Sequence, residues 1–485
     1  MKRIYSLLTL TALLLAGACS HNDSGSDLTG GYYEGAPDDF GEKYTEYGEN
    51  NFIDVSEQPV STFAVDCDGA SYSNMRRWLN VGQTPPKASV RIEEFLNYFT
   101  FDYPEPQQGH NVSMDAEVAA CPWNSENLIM RLGLKGRTIP QAQLPATNYV
   151  FLIDVSGSMN YPEKLGILKT GFTALVDVLG DNDKVAIVTY AGSAGVALKS
   201  TNCDEKDKIK KAISKLSAGG STAGADGIVT AYKIAKDNFV PDGNNRIIIG
   251  SDGDFNVGMS STEELVELIE EHRDMGIYLT VLGVGSGNLN DGMMEQLANK
   301  GNGTYEYIDN EAQMEKVFIR ERSKFYTIAK DCKVQVAFDP ALVSKYRLIG
   351  YENRSLDEED FEDDKKDAGD IGVGQTVTAI YEIVPAAKNP SGKFATFDIR
   401  YKKPGDEQSV LLESAVDVTP VPIASASANT RFAAAVASFG MLMKESEFKG
   451  TADKDLVLSL GEGAAAYDPN GYRSEFLSLV RKAKI

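Results

Sequence analysis

The middle of the chain alternates between apolar runs and amphipathic segments. Over residues 146–325, short apolar stretches typical of buried strands are each followed by a longer segment with helical periodicity. This alternation predicts a doubly wound, mostly parallel α/β sheet covered by helices on both faces. Strands are predicted at residues 149–153, 184–190, 246–250, 278–284 and 304–307, with a short edge strand at 195–199, and helices at 164–179, 204–216, 225–238, 262–273, 292–300 and 311–324.

The segments on either side of this α/β unit show the two-residue alternation of β-strands. Before it, we predict a strand at 61–66, helices at 71–80 and 91–98, and paired strands at 112–120 and 128–134. After it, we predict antiparallel strands at 333–338, 346–351, 376–384, 393–401 and 410–415. We expect the two sets to complete a β-sandwich-like region into which the α/β unit is inserted. Helices predicted at 430–443, 453–459 and 472–484 are expected to pack on the body through their apolar positions.

The N-terminus predicts an export signal. Lys2 and Arg3 precede an apolar run over residues 4–15, and small residues precede Cys19. This is typical of a lipoprotein signal cleaved before Cys19, with lipid attached to its thiol; an ordinary secretory signal with an incidental cysteine is the alternative. Residues 20–58 are rich in Gly, Ser, Asp, Glu and Asn, which predicts a disordered tether. The predicted domains are a signal peptide (1–18), the lipidated Cys19 and tether (19–58), an N-terminal α+β region (59–145), the α/β domain (146–325), a β-sandwich region (326–420) and a C-terminal helical region (421–485).

Charge and cysteine content narrow the function classes. The 485 residues include 48 Lys and Arg against 70 Asp and Glu, giving a formal charge of −22. Such a negative field repels phosphate backbones, so nucleic acid is not an expected partner.

The mature chain has four cysteines, which are Cys67, Cys121, Cys203 and Cys332. They can form disulfides in an exported protein, or they can be buried free thiols.

Three loops at the ends of predicted strands carry candidate metal ligands. Asp154, Ser156 and Ser158 follow the strand at 149–153 at alternate positions, so their oxygens can project to one side of an extended loop. By itself this motif also fits side chains that cap a turn. Thr222 lies in a glycine-bounded loop before a predicted helix, and Asp252 follows the strand at 246–250. Because loops at the carboxyl ends of parallel strands share one crevice, the sequence predicts an oxygen-lined site for Mg²⁺ there.

This set of residues resembles the metal-ion-dependent adhesion site of the von Willebrand factor type A fold. The resemblance implies Mg²⁺ as the cofactor, with Mn²⁺ or Ca²⁺ as alternative ions, and an Asp or Glu carboxylate from a partner protein as the ligand. Ser251 departs from the pattern, since many relatives have Thr before Asp-Gly. The metal ligands implied by the resemblance are Asp154, Ser156, Ser158, Thr222 and Asp252.

Segments outside the α/β unit resemble one particular family of type A proteins. Residues 63–74, 90–99, 121–124 and 346–354 are similar to the YfbK-type family of bacterial von Willebrand factor A lipoproteins. The resemblance implies a protein-binding lipoprotein of the bacterial cell envelope, used in adhesion or recognition. It implies a lipid anchor in the membrane, at the outer membrane or cell surface rather than the inner membrane.

Parts of the sequence also match other functions and other metal sites. A scaffold or assembly factor working with a MoxR-type ATPase is the main alternative, because some bacterial type A proteins of this kind cooperate with such ATPases. A Mg²⁺-dependent hydrolase is disfavoured because Ser156 stands where a haloacid-dehalogenase-type phosphatase has its second Asp, so we expect no catalytic residue and no enzyme. Asp66 and Asp68 are interpreted as a turn cap, and the acidic run 357–364 as a solvated turn in preference to a Ca²⁺ site.

Overall fold

A computed structural model describes residues 41–191, 193–219, 224–253, 262–388, 390–418 and 420–485. The chain before the α/β unit forms β1 (Ile53–Asp54), β2 (Val60–Ala64), α1 (Ala70–Asn80), α2 (Ile92–Asn97), β3 (Val112–Ala120) and β4 (Leu128–Gly136). The α/β unit contains β5 (Thr147–Asp154), α3 (Ile167–Val178), β6 (Lys184–Ala191), β7 (Ser193–Asn202), α4 (Lys206–Ser214), α5 (Gly224–Asp237), β8 (Asn244–Ser251), α6 (Thr262–Asp274), β9 (Ile277–Val284), α7 (Asp291–Lys300), β10 (Tyr305–Ile308) and α8 (Glu311–Glu315).

The remaining chain is first β and then helical. Its strands are β11 (Thr327–Phe338), β12 (Val343–Ile349), β13 (Ser355–Leu356), β14 (Gly369–Gly372), β15 (Thr376–Pro385), β16 (Gly392–Lys402) and β17 (Ser409–Val418). Its helices are α9 (Ala428–Lys444), α10 (Lys454–Glu462) and α11 (Tyr472–Lys482).

The α/β unit is a doubly wound sheet with the strand order β10-β9-β8-β5-β6-β7. The pairs from β10 to β6 are parallel, and β7 is an antiparallel edge strand that extends beyond the predicted 195–199. All of β5 is buried because helices cover both of its faces. Phe151 stacks on Phe172 of α3 at 4.2 Å, whereas Leu152 packs in the opposite cluster with Ile228 of α5. The predicted fold class of this unit is confirmed.

The segments before and after the α/β unit together form two antiparallel sheets. Their strand orders are β1-β12-β15-β4-β3 and β13-β2-β11-β16-β17, with β14 added beside β11. β4 pairs with β15, so segments before and after the α/β unit lie side by side as expected; Met130, for example, is opposite Tyr381. The two sheets face each other, and Phe63 of β2 contacts Tyr381 across the interface with ring centroids 6.4 Å apart.

The C-terminal helices cover the other face of the β15 sheet. Ile380 points into a cluster with Phe432 of α9 and Phe476 of α11, while its neighbour Tyr381 lies in the sandwich core. Because both faces of β15 are covered, the first eight of its ten residues are buried. The expectation that these helices pack on the body is confirmed.

The predicted disordered tether is wrong for residues 41–58. Tyr44 is buried, the Glu42 carboxylate forms an ion pair with Arg77 at 2.7 Å, and the Lys43 amide donates to the Leu289 carbonyl. β1 also pairs with β12. These contacts compensate the conformational entropy lost on ordering a polar segment, which composition alone could not foresee. The predicted signal peptide, Cys19 and the first part of the tether lie outside the described residues.

The helix predicted at 311–324 is interrupted. After α8, residues Lys316–Arg320 form a π-helical turn and Arg322–Phe325 a 3₁₀ turn. The buried Lys316 ammonium forms an ion pair with Glu321, five residues on, and the Glu321 amide donates to the Lys316 carbonyl. The five-residue spacing of both contacts matches π-helical geometry and replaces a straight α-helix.

Two further features bear on the predictions. The four cysteines of the described chain are free thiols, so of the two possibilities left open the structure has the unpaired one. Among the described helices, none combines the length and the apolar character that crossing a bilayer requires.

Candidate metal centre

Asp154 lies at the carboxyl end of the central strand β5, and its carboxylate is fully buried. The Ser156 amide donates to Asp154 Oδ1 at 2.8 Å, which turns the chain out of the strand. The Ser156 and Ser158 hydroxyl oxygens are 2.9 Å apart, so the two hydroxyls lie on one side of the loop as the alternate spacing predicts. Ser156 is buried and Ser158 is half-buried.

The neighbouring strand β8 brings a second carboxylate to this point. β5 and β8 are paired in register, with Ile153 opposite Gly250, so the two acidic loops begin at the same level of the sheet. Ser251 Oγ donates to Asp154 Oδ2 at 3.1 Å and accepts a hydrogen bond from the Gly253 amide at 3.3 Å. Asp252 is fully buried beside them.

Thr222 lies outside the described residues. The last described residue before its loop is Gly219, whose amide donates to the Val155 carbonyl at 2.8 Å. This hydrogen bond attaches the start of the loop to the residue that follows Asp154. After the loop, the described chain resumes at Gly224 with α5.

Burial sets the electrostatics of the site. Removal from water raises the pKa of the Asp154 carboxyl to about 6, and the nearby Asp252 carboxylate adds to the increase. Hydrogen bonds from Ser156 and Ser251 oppose it by stabilising the charged form. Two buried carboxylates and two hydroxyls are hard oxygen donors, the ligand chemistry that suits Mg²⁺ or Mn²⁺, and the residues present therefore fit such an ion.

Sequence reasoning missed a cation at this site. The Lys164 ammonium donates to Asp252 Oδ2 at 2.8 Å and to Asn288 Oδ1 at 3.2 Å. Lys164 lies in a π-helical turn, Pro162–Gly166, and Asn288 lies in the loop after β9. No local pattern distinguishes this lysine from exposed ones, because its contacts join three separate loops. Sequence reasoning also gave Ser251 no role, whereas its hydroxyl joins the Asp154 and Asp252 loops.

A second group of carboxylates lies elsewhere in the body. Asp66, Asp68 and Glu94 each bring a carboxylate oxygen within 4.8 Å of the others. The Asp68 amide donates to Asp66 Oδ1 at 2.9 Å, which agrees with the turn-cap interpretation. Arg354 lies 3.2 Å from the Asp66 carboxylate and 3.7 Å from that of Asp68, and Arg91 forms an ion pair with Glu94. Guanidinium groups thus supply positive charge here, and we interpret the group as a buried ion-pair network.

The acidic run 357–364 behaves as a capped turn. The Asp357 amide donates to the Asp360 carboxylate at 3.1 Å in a reciprocal capping box. Lys366 forms an ion pair with Asp360 at 3.0 Å. These contacts agree with the predicted charged turn.

Comparison with known proteins identifies the family. The von Willebrand factor type A domain model matches residues 148–320, a von Willebrand factor model matches 39–131, and the model of the C-terminal region of the uncharacterized protein YfbK matches 323–394 and 386–485. Uncharacterized protein YfbK of Escherichia coli (strain K12) is 37% identical over an alignment of 467 positions, which covers 91% of this chain and 81% of that protein. The chain belongs to the YfbK family of von Willebrand factor type A proteins.

Other similar proteins share smaller parts or lower identity with this YfbK-family chain. Uncharacterized protein sll0103 of Synechocystis sp. is 25% identical over 34% of this chain and 38% of its own length. Among solved structures, a von Willebrand factor type A protein from Catenulispora acidiphila is 16% identical with a TM-score of 0.45, covering 77% of this chain and 91% of its own. BatB from Bacteroides thetaiotaomicron is 25% identical with a TM-score of 0.32, covering 37% of this chain and 98% of its own.

Family membership indicates a general class of function. Von Willebrand factor type A domains are, in general, protein-interaction domains without catalytic activity, and many bind a divalent metal ion. Proteins of this kind are often extracytoplasmic.

Proposed function

We propose that this protein is a metal-dependent protein-binding lipoprotein of the bacterial cell envelope, used in adhesion or recognition. The observation that carries the proposal is the convergence of Asp154, Ser156, Ser158 and Asp252 at one edge of the α/β sheet, where Ser251 joins the two acidic loops at 3.1 Å. Asp154, Ser156 and Ser158 hold Mg²⁺ together with Asp252 and Thr222, each of the last two directly or through water. Mn²⁺ and Ca²⁺ are alternative ions.

The partner is a protein that supplies an Asp or Glu carboxylate to the ion. Serine and threonine hydroxyls are neutral ligands, so the ion keeps much of its charge and attracts an anionic group. Tyr161, seven residues after Asp154, is 56% exposed and immediately precedes the turn that carries Lys164; its ring centroid is 5.9 Å from Lys164 Nζ. An exposed aromatic side chain beside the site offers the partner an apolar contact of the kind that often dominates binding energy.

The membrane attachment is a lipid on Cys19. Small residues before this cysteine and an apolar run before them support it. A lipid at Cys19 would attach the protein to a membrane of the cell envelope, where its partners are expected. Replacing Cys19 with Ser is expected to release the mature protein from the membrane fraction.

The surroundings of the histidines favour binding over catalysis. His272 lies on α6, packs on Tyr232 with ring centroids 4.3 Å apart, and hydrogen bonds through Nδ1 to the Leu268 carbonyl. His110 lies in the loop before β3, in the antiparallel part of the body. Neither is a described contact of Asp154, so the carboxylate has no imidazole acid or base beside it within the described chain.

The test is a Mn²⁺ titration followed by electron paramagnetic resonance, in which free Mn²⁺ is measured directly. Wild-type protein is expected to bind one ion, and Asp154→Ala is expected to weaken binding at least about a hundredfold, since it removes a buried ligand. Asp177→Ala is the matched control, because Asp177 is a 54% exposed carboxylate on α3 that forms an ion pair with Lys210. Equal binding by wild type and Asp154→Ala would remove the basis of the proposal.

Capture from a detergent extract of the envelope then tests the function. Immobilised wild-type protein is expected to retain a partner in Mg²⁺ and release it in EDTA, and immobilised Asp154→Ala is expected to retain none. Retention that is the same in Mg²⁺ and in EDTA would contradict metal-dependent recognition.

A further inference from the structure

The side chain of Lys164 passes over Gly285, the residue after β9, to reach the metal centre. Lys164 is only 7% exposed. A Cβ at Gly285 would lie 2.3 Å from Lys164 Cε and 2.6 Å from Cγ, and Gly285 also has a φ of +74°. Any larger residue would therefore block the lysine and strain the backbone.

The loop after β9 also binds the ammonium group of Lys164. Asn288 Oδ1 accepts from Lys164 Nζ at 3.2 Å, and the Tyr307 hydroxyl donates to the Gly285 carbonyl, which fixes the loop. The turn that carries Lys164 is π-helical, a conformation that is uncommon and often found at functional sites. Lys164 is thus held by its own π-helical turn and by two residues of the loop after β9, Gly285 and Asn288.

The charges explain what this arrangement does. Asp154 and Asp252 are both fully buried carboxylates, and together they carry two negative charges. Lys164 at 2.8 Å from Asp252 cancels one of them. A divalent ion bound to the two carboxylates alone would give a neutral centre, whereas the additional ammonium leaves the centre with one net positive charge.

We infer that Lys164 is a resident counter-cation of the metal centre, which weakens metal binding and strengthens the binding of an acidic ligand to the metal-loaded site. The inference rests on the proposed function, since it concerns the same site. The lysine is a positioning and charge-tuning residue: it holds Asp252 through a hydrogen bond and leaves positive charge for the partner's carboxylate. The ligand class that this favours is an acidic side chain, in preference to a neutral oxygen donor such as an amide or a hydroxyl.

The test compares Lys164→Gln with wild type in two titrations. The glutamine keeps a hydrogen-bond donor for Asp252 but removes the charge. We expect Lys164→Gln to bind Mn²⁺ at least about tenfold more tightly, because the repulsion between ammonium and metal is lost. We expect acetate, added to the Mn²⁺-loaded protein as a minimal carboxylate probe, to bind about threefold or more weakly to the same variant.

The two opposite changes separate this role from a structural one. A lysine that only held the loops together would, when replaced, weaken both metal and acetate binding. Lys164→Arg keeps the charge and is expected to restore the wild-type order of affinities. Lys208→Gln is the charge-matched control, because Lys208 lies on α4 and its ion pair with Glu205 is 54% and 53% exposed. Its Mn²⁺ affinity is expected to stay within about twofold of wild type, since distant exposed charges are screened.

The outcomes distinguish failure of the inference from failure of the proposed function. If Lys164→Gln binds Mn²⁺ no more tightly than wild type while Asp154→Ala loses binding, the metal centre stands and the role of Lys164 is wrong. If wild type and Asp154→Ala bind Mn²⁺ alike, the proposed function itself is wrong. Should Lys164→Gln not fold, as judged by circular dichroism, Lys164→Met preserves the length of the stem over Gly285 and takes its place, with the same two expected changes.

Discussion

Ser251 Oγ donates a 3.1 Å hydrogen bond to Asp154 Oδ2 and thereby joins the ends of two neighbouring parallel strands. Threonine in place of Ser251 would also have the hydroxyl that this contact requires. The hydrogen bond stabilises the charged form of a carboxyl whose pKa burial raises to about 6. The affinity of the site for a metal ion therefore depends on pH in a range that can be measured.

Metal binding is expected to weaken as the pH falls through about 6. A metal ion competes with the proton on Asp154, so the Mn²⁺ affinity should be nearly constant above this pKa and fall about tenfold per pH unit below it. Ser251→Ala removes a hydrogen bond that lowers the pKa, so the midpoint should move upward by about half a pH unit. Mn²⁺ titrations between about pH 4.5 and 8 measure both effects. A midpoint that moves downward in Ser251→Ala would contradict this explanation.

Asp370 is expected to destabilise the protein at high pH. Burial raises the pKa of its carboxyl from 3.8 to about 8, and Lys330 only partly opposes the shift. The folded state therefore binds the proton more tightly than the unfolded state, and stability falls as the pH rises from about 4 to about 8. Asp370→Asn should remove this decline and stabilise the protein by at least about 1 kcal/mol at pH 8.5 relative to wild type, with little gain at pH 4.

Urea unfolding at three pH values measures the effect of Asp370→Asn. The asparagine can still accept the hydrogen bond that the Asp331 amide donates at 3.2 Å, so geometry is preserved. Asp406→Asn, in an exposed turn, is the control and should leave the pH profile unchanged. A profile for Asp370→Asn that runs parallel to that of wild type would show that this carboxyl is not the cause.

Gly253→Ala is expected to damage the metal centre as well as stability. Gly253 follows Asp252, has a φ of +104°, and a Cβ there would lie 2.4 Å from the Asn290 amide nitrogen and 2.7 Å from the Asn288 carbonyl oxygen. The backbone atoms of the Asn288 loop cannot move aside easily, so we expect a loss of more than about 2 kcal/mol in the free energy of unfolding. Mn²⁺ affinity should fall too, because Asp252 and the loop that holds Lys164 would be displaced.

Gly82→Ala provides the matched comparison. Gly82 also has a positive φ, +76°, but nothing lies within 4 Å of the position of its Cβ. Only the backbone strain remains, so a loss of about 1 kcal/mol and an unchanged Mn²⁺ affinity are expected. Equal losses of unfolding free energy in the two variants would show that the close backbone approach at Gly253 does not contribute to the destabilisation.

Arg354→Met is expected to destabilise the buried ion-pair network by about 3 kcal/mol or more at neutral pH. The guanidinium lies 3.2 Å from the Asp66 carboxylate, 3.7 Å from that of Asp68 and 3.9 Å from that of Glu295. Burial raises the pKa of both Asp68 and Glu295, so at acid pH these groups become neutral and need the arginine less. The destabilisation should therefore shrink as the pH falls.

Thermal unfolding of Arg354→Met at pH 5 and pH 8 measures this dependence. The control is Arg320→Met, whose ion pair with Glu315 is 2.9 Å long but 41% and 52% exposed. Exposed pairs contribute less than about 1 kcal/mol, so this variant should be nearly neutral at both pH values. A loss in Arg354→Met that is the same at both pH values would mean that the network does not titrate as described.

The sequence by itself determined the architecture and part of the candidate site. The apolar run before Asp154 and the helical period after it predict a parallel strand and its helix, because burial on both faces imposes a pattern that is local in the chain. Asp154, Ser156 and Ser158 could be placed together for the same reason, since alternate residues of an extended segment lie on one side. The pairing of β4 with β15 was also foreseeable from the β-patterned segments on both sides of the α/β unit.

Only the tertiary structure decided the electrostatics. Lys164 meets Asp252 across 88 residues of sequence, and Arg354 meets Asp66 across 288. Residues 42–44 have the composition of a solvated tether, yet Glu42 forms an ion pair with Arg77 and the segment is ordered. These contacts are single pairings of polar groups between distant loops, so they leave no periodic trace in the sequence. Their energies depend on burial and on nearby charges, which exist only once the chain has folded.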